Sequence, residues 1–295
     1  MPLTVATFYR FVTLDDLPAL KAELAALCAD TGTRGTILIA PEGINGTLAG
    51  PQDGVATIVA HLDRRCGIGR GELKFSAAEE WPFARTKVRI RPEIITMRAP
   101  EADPSRRVGT YVAPSDWNAL IDDPDVLVLD TRNRYETKVG GFAGAVDPEI
   151  DSFTDFKAYV ETALDPAEHR KVAMFCTGGI RCEKASAYML SKGFESVFHL
   201  KGGILQYLED VPQEVSRWEG DCYVFDGRVA VGHGLARTDW TACYGCGQPL
   251  SPEERADPAF EEGVSCAHCI DRLTGEKAAS LRERQRQIMR ETGRG

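Results

Sequence analysis

Lys171-Val172-Ala173-Met174-Phe175-Cys176-Thr177-Gly178-Gly179-Ile180-Arg181 passes from an apolar strand pattern into a glycine turn, and a helix-like segment follows from near Cys182. A buried strand feeding a helix through such a turn marks an α/β unit. The turn also suits a reactive thiol. Cysteine attacks as the thiolate, and helix N-terminal N–H groups with a nearby guanidinium, here Arg181, lower a thiol pKa. Gly178 and Gly179 let successive N–H groups converge on one point. Cys176 is therefore expected as a nucleophile on an exposed turn, with Thr177, Gly178, Gly179, Ile180 and Arg181 forming its loop. A buried structural cysteine is the plainer alternative for a thiol without those neighbours. Cys182, just beyond the loop, reads either as a resolving thiol or as a packed first-turn residue.

Upstream, Val126-Leu127-Val128-Leu129-Asp130-Thr131-Arg132 is a second buried-strand pattern ending in an acid and a base. Asp130 and Arg132 followed by the Cys176 loop resemble the rhodanese domain, an α/β fold with a parallel sheet, over about residues 105–222. Gly140–Ala145 and the His199-Leu200-Lys201-Gly202-Gly203-Ile204 turn agree with that resemblance. Rhodanese domains carry sulfane sulfur as a cysteine persulfide. Their loops have the six residues seen from Cys176 to Arg181, whereas related phosphatases use seven.

Length allows two to three domains, and no apolar run approaches the ~18 residues of a membrane span. With no leader-like N-terminus and two Cys-x-x-Cys pairs among nine cysteines, reduced thiols and a cytoplasmic location are expected. The net charge of −9 is uneven: residues 101–222 carry −9, residues 1–100 carry +1 and residues 223–295 carry −1. Bulk charge excludes general attraction to nucleic acid, so any such contact must be local.

Residues 1–100 read as strand, helix, strand, strand, helix, strand, the order of a ferredoxin-like or acylphosphatase-like fold. Their last strand is expected over Thr86–Met97, followed by a linker at Pro100–Arg107. Over Arg85–Arg91, the cations Arg85, Lys87, Arg89 and Arg91 alternate with Val88 and Ile90, which puts the cations on one face and the aliphatics inward. The cations suit either an RNA contact or a protected edge strand. Pro41-Glu42-Gly43-Ile44-Asn45-Gly46 reads as a tight turn, with contact to a bound base through Glu42 or Asn45 as the alternative.

The third segment, 223–295, holds Cys243-Tyr244-Gly245-Cys246 and Cys266-Ala267-His268-Cys269. Two such knuckles fit a closed, structural Zn²⁺ site ligated by Cys243, Cys246, Cys266 and Cys269. His268 is expected beside it, with a Cys₃His set as the alternative. A helix is expected from Leu273 to Arg290, solvated by its mixed charges.

Taken together, the Glu42-Gly43-Ile44-Asn45-Gly46 loop, the run Cys176–Ala185 and the Cys-rich tail resemble the bacterial rhodanese-type tRNA uridine hydroxylases over nearly the whole chain. The resemblance implies oxygen-dependent conversion of the wobble uridine to 5-hydroxyuridine, with Cys176 as the persulfide-carrying active-site residue. It implies tRNA, at the anticodon loop, as partner and molecular oxygen as co-substrate, with neither DNA nor a membrane involved. The basic strand gains weight as a tRNA contact, on a different domain from the chemistry. No residue pattern identifies an electron donor, flavin, haem or iron. A sulfurtransferase using a Cys176 persulfide and a non-enzymatic zinc-containing RNA-binding or adaptor protein are the alternative readings.

Overall fold

The computed structural model describes residues 2–70 and 72–292; residues 293–295, the end of the Cys-rich segment, lie outside it. The N-terminal unit comprises β1 (Leu3–Phe11), α1 (Leu17–Asp30), β2 (Arg34–Ala40), β3 (Gly43–Gly50), α2 (Gln52–Cys66), β4 (Glu72–Ala78) and β5 (Lys87–Ile90). Its sheet runs β4-β1-β3-β2-β5, antiparallel except where β5 joins β2 in parallel. The first four strands thus form the ferredoxin-like order, with β5 added at one edge. Alternation divides the sheet into two faces. Phe8, Ile37, Ile39, Ile44 and Leu48 pack beneath the helices against Leu20, Leu24, Ile58 and Leu62. The other face is polar around Lys74, Glu72 and Asn45, with an apolar patch of Val5, Ala49 and Ala78 at one end.

β5 is shorter than Thr86–Met97, because Pro92 has no N–H to continue the ladder after Arg91 bonds to Ile39. Val88 packs against the core, but Ile90 is 41 % exposed at the strand end, not inward as the alternation predicts. The connection that follows is not a free linker. Met97, Ala99 and Ala102 are buried in the core of the next unit.

That unit comprises β6 (Thr110–Val112), α3 (Pro114–Ile121), β7 (Val126–Asp130), α4 (Arg134–Thr137), β8 (Gly140–Phe142), α5 (Phe156–Ala163), β9 (Lys171–Phe175), α6 (Ile180–Ser191), β10 (Ser196–Leu200) and α7 (Gly203–Asp210). Its parallel sheet has the order β6-β10-β9-β7. One core holds Val172, Met174, Tyr188 and Met189, and the other gathers Trp117, Phe175, Tyr207 and Trp218 around Phe142. β11 (Trp218–Gly220) pairs with β8, and a hairpin of β12 (Cys222–Tyr223) and β13 (Ala230–Val231) follows.

The last segment is small: β14 (Thr241–Ala242), β15 (Pro249–Leu250), α8 (Pro252–Arg255) and α9 (Gly275–Thr292) surround the four cysteines. α9 starts two residues later than expected, with Arg284 lying 3.6 Å from the Tyr244 ring centroid. No helix of the described residues is long and apolar enough to cross a membrane.

Candidate active site

β9 delivers Cys176 to its C-terminal end, and α6 begins four residues later. Gly179 caps that helix at φ 97°, a conformation that favours glycine, and its N–H donates to Cys176 Sγ at 3.2 Å. A second helix start holds the loop from below. The N–H groups of Ile204 and Leu205 in α7 donate to the carbonyls of Cys176 and Thr177 at 3.0 and 3.1 Å. Gly203 makes this contact possible, since a Cβ there would lie 2.5 Å from the Cys176 carbonyl oxygen.

Cys176 is fully buried rather than on an exposed turn, because the N-terminal unit covers the loop. Burial pushes its thiol up, but the Cys182 thiol, Arg181 and the N–H groups of Cys182 and Arg181 outweigh it and bring the thiol down to about 5. Cys182 is pushed well up by burial and by its anionic neighbour, so it serves as the protonated partner. Its sulfur also lies 3.5 Å from Thr131 Oγ1.

Arg181 acts through position. Its guanidinium makes a buried bidentate pair with Glu136 at 2.6 and 2.7 Å, so its charge is held near the thiolate while its fork is already occupied. Burial alone would raise the Glu136 carboxyl, and Arg181 more than reverses this, holding it below the usual range. Asp130 and Arg132 form another buried pair at 2.6 Å, and Arg132 also donates to the carbonyls of Glu136 and Gly140. These bonds tie the end of β7 to α4 and β8.

The loop opens onto a cleft of about 750 Å³ that is walled by both units. Strand register puts Lys74 and Glu72, Thr7 and Tyr9, Thr47 and Asn45, and Thr36 and Leu38 on the polar face of the N-terminal sheet, and all of them line the cleft. The same register puts Lys87 and Arg89 on this face beside Thr36 and Leu38, while Arg91 lines the cleft itself. Arg85 precedes the strand and is exposed. No ion pair among the described residues engages Arg85, Lys87, Arg89 or Arg91. The basic edge and Cys176 come from separate units, yet they border one cavity.

Sequence reasoning missed the buried cluster beside the loop. Tyr9 reaches from β1 to donate to Glu183 Oε1 at 2.8 Å. Burial raises the Glu183 carboxyl to about 7 against the hydrogen bonds of Tyr9 and Tyr111. Lys74, lowered by burial to about 8, donates to Gln206 Oε1 at 2.7 Å. The period-2 polar positions of β1 and β4 are the signal that could have found them. Glu42, by contrast, does not line the cleft. It accepts from Lys184 Nζ at 2.9 Å and from the Ile94 N–H at 2.8 Å, while Asn45 donates to the Ile94 carbonyl.

The four knuckle sulfurs lie within 4.8 Å of one another, with separations of 3.8 and 3.9 Å among them. A tetrahedral ion with metal–sulfur bonds of ~2.3 Å requires edges of about 3.8 Å, so the cluster can hold a metal such as zinc. His268 turns away from it, 2.6 Å from Glu254 Oε1.

The family model for the UPF0176 acylphosphatase-like domain matches residues 3–94, and that for the rhodanese-like domain matches residues 113–210. A protein of Deinococcus radiodurans named tRNA uridine(34) hydroxylase is 56% identical, covering 97% of this chain and 94% of its own. One of the same name from Mesorhizobium japonicum is 53% identical, covering 100% and 95%. Among solved structures, the rhodanese-like domain of an Anabaena protein is 21% identical with a TM-score of 0.30, over 37% of this chain and 78% of that one.

Proposed function

The chain belongs to the tRNA uridine(34) hydroxylase family, and from that premise we propose that it converts the C5–H of uridine 34 in tRNA to C5–OH, consuming molecular oxygen in the cytoplasm. The observation that carries this reading is a cysteine held as thiolate at the floor of a cleft whose other wall is a polar, cation-edged sheet. Such a cleft suits an unpaired base on a polyanionic backbone. Arg85, Lys87, Arg89 and Arg91 provide the phosphate contacts.

The balance of the reaction is one dioxygen, two electrons and two protons in, and one water out. Cys176, as thiolate or as the persulfide it carries, adds to C6 of uracil and moves the double-bond electrons toward C5 and the C4 carbonyl oxygen. Lys74 stands in the cleft to donate to that developing enolate. The enolate passes electron density to dioxygen and forms the C5–O bond as a peroxide. A thiol reductant supplies two electrons that break the O–O bond, leaving C5–OH and water. Loss of the C5 proton and expulsion of sulfur restore the ring.

Nucleoside mass spectrometry of tRNA from cells carrying Cys176→Ala tests the reading. Loss of 5-hydroxyuridine, with thiolated uridines unchanged, is expected. Loss of thiolated uridine instead would establish the sulfurtransferase reading that the six-residue loop also suits, and an unchanged profile would leave neither enzyme. The knuckles are read as a structural zinc site, Cys243, Cys246, Cys266 and Cys269 giving the ion four thiolates and no open position. Metal analysis should find about one zinc per chain, lost together in the four-fold Cys→Ser variant.

A further inference from the structure

The β12–β13 hairpin enters the cleft from the third side, and its tip is fastened on both flanks. Gly227 N–H donates to the Pro82 carbonyl at 3.0 Å, and the Arg228 guanidinium donates to Ser76 Oγ at 2.9 Å while gripping Asp226 at 2.7 Å. Within the tip, Val224 N–H closes onto the Val229 carbonyl at 2.9 Å. A tip held this way has few conformations to lose when a ligand arrives.

Phe225 stands on this fastened tip and is 58 % exposed, the most exposed of the large apolar side chains among the described residues, yet it lines the cleft with Cys176. It ends an edge-to-face series in which Tyr135 and Tyr223 are 5.3 Å apart and Tyr223 and Phe225 are 5.1 Å apart. The Arg181 guanidinium lies 5.8 Å from its ring centroid. An aromatic ring that packing would normally bury is instead positioned at a cleft mouth beside cations.

We propose that Phe225 is a stacking platform for the unpaired base next to the target uridine in the anticodon loop, held apart from its neighbour when the target inserts toward Cys176. The proposal rests on the hydroxylase reading. The occupant follows from placement: Cys176 is at the floor and receives the reacting base, whereas Phe225 is at the rim and meets what flanks it. Aromatic rings accept any base face, and Arg91 on the same cleft, with Lys87 and Arg89 behind it on the same sheet face, supplies the attraction for the intervening phosphates. Phe225 is a positioning residue, since it acts on substrate geometry and not on the reacting atoms.

An anticodon stem–loop with 2-aminopurine at position 35 tests this. Phe225→Ala should weaken binding about 5- to 150-fold, the range of one lost base–aromatic stack. It should raise KM far more than it lowers kcat and abolish the fluorescence change that accompanies binding to the wild type. Phe225→Tyr should restore all three, and Phe225→Leu, which keeps an apolar side chain without a ring, should not. Because the ring is exposed, thermal unfolding and the ionisation of Cys176 should be unchanged in each variant. Wild-type hydroxylation of the stem–loop with Phe225→Ala affinity within twofold of it overturns the platform and leaves the function standing. A wild type that binds the stem–loop but hydroxylates no uridine overturns the function, and the platform with it.

Discussion

Cys176 shows why burial and an acidic thiol are compatible at one residue. Removing a thiol from water favours the neutral form, but Gly179, the α6 N-terminus, Cys182 and Arg181 supply more stabilisation to the anion than water has lost to it. The difference in ultraviolet thiolate absorbance between wild type and Cys176→Ser, followed against pH, should show a midpoint near about 5. Cys176 then remains anionic at every pH above that, and protonates as pH falls through it. A midpoint near the free-cysteine value of ~8.5 would remove the electronic basis for attack on uracil. The loop cysteine, its glycines and Arg181 were legible in the sequence as one loop because they are contiguous. The Glu136 partner of Arg181 was not, since it lies 45 residues away, and nothing local in Tyr135-Glu136 announces a buried carboxylate.

At the scale of elements, β5 joins a local pattern to a distant consequence. Alternation correctly set Lys87 and Arg89 on a common side, but only the register with β2 shows that this side is the one facing the cleft. Its length was over-read, because a basic and aliphatic alternation continues past Ile90 while Pro92 stops the ladder. Reversing charge at Lys87, Arg89 and Arg91 to Glu should weaken tRNA binding and flatten the slope of log affinity against log salt by about 2, the value for three single-strand phosphate contacts at ~0.7 each. Filter-binding titrations at several salt concentrations measure this. An unchanged slope would mean that these residues only guard a sheet edge. Cys176 ionisation should be kept, as none of the three is among the groups that lower its pKa.

For the whole molecule, the site exists only while the N-terminal sheet stays seated on the rhodanese-like core, and Lys184 is the principal polar clamp. It is 2 % exposed on α6, and its ammonium donates to Glu42 at 2.9 Å, Glu93 at 2.8 Å and the Ile95 carbonyl at 3.0 Å, joining both units and their connection. The sequence shows Lys184 only as a helix residue two positions after Cys182, and Glu42 only as part of a turn, because the pairing spans 142 residues. Lys184→Met keeps the stem volume but leaves two carboxylates facing each other without a cation. Breaking a fully buried pair costs about 3–5 kcal/mol, and the partial water access of Glu42 and Glu93 reduces that here. Chemical denaturation should therefore show a loss below that range, with faster proteolysis in the connection between Arg91 and Gly109. Hydroxylation should fall more steeply than stability, since unseating the sheet removes Lys74, Tyr9 and Arg91 from the cleft together while the loop that acidifies Cys176 stays within α6 and α7. If activity instead tracks the folded fraction alone, the two units need no clamp to form the site, and Lys184 serves stability only.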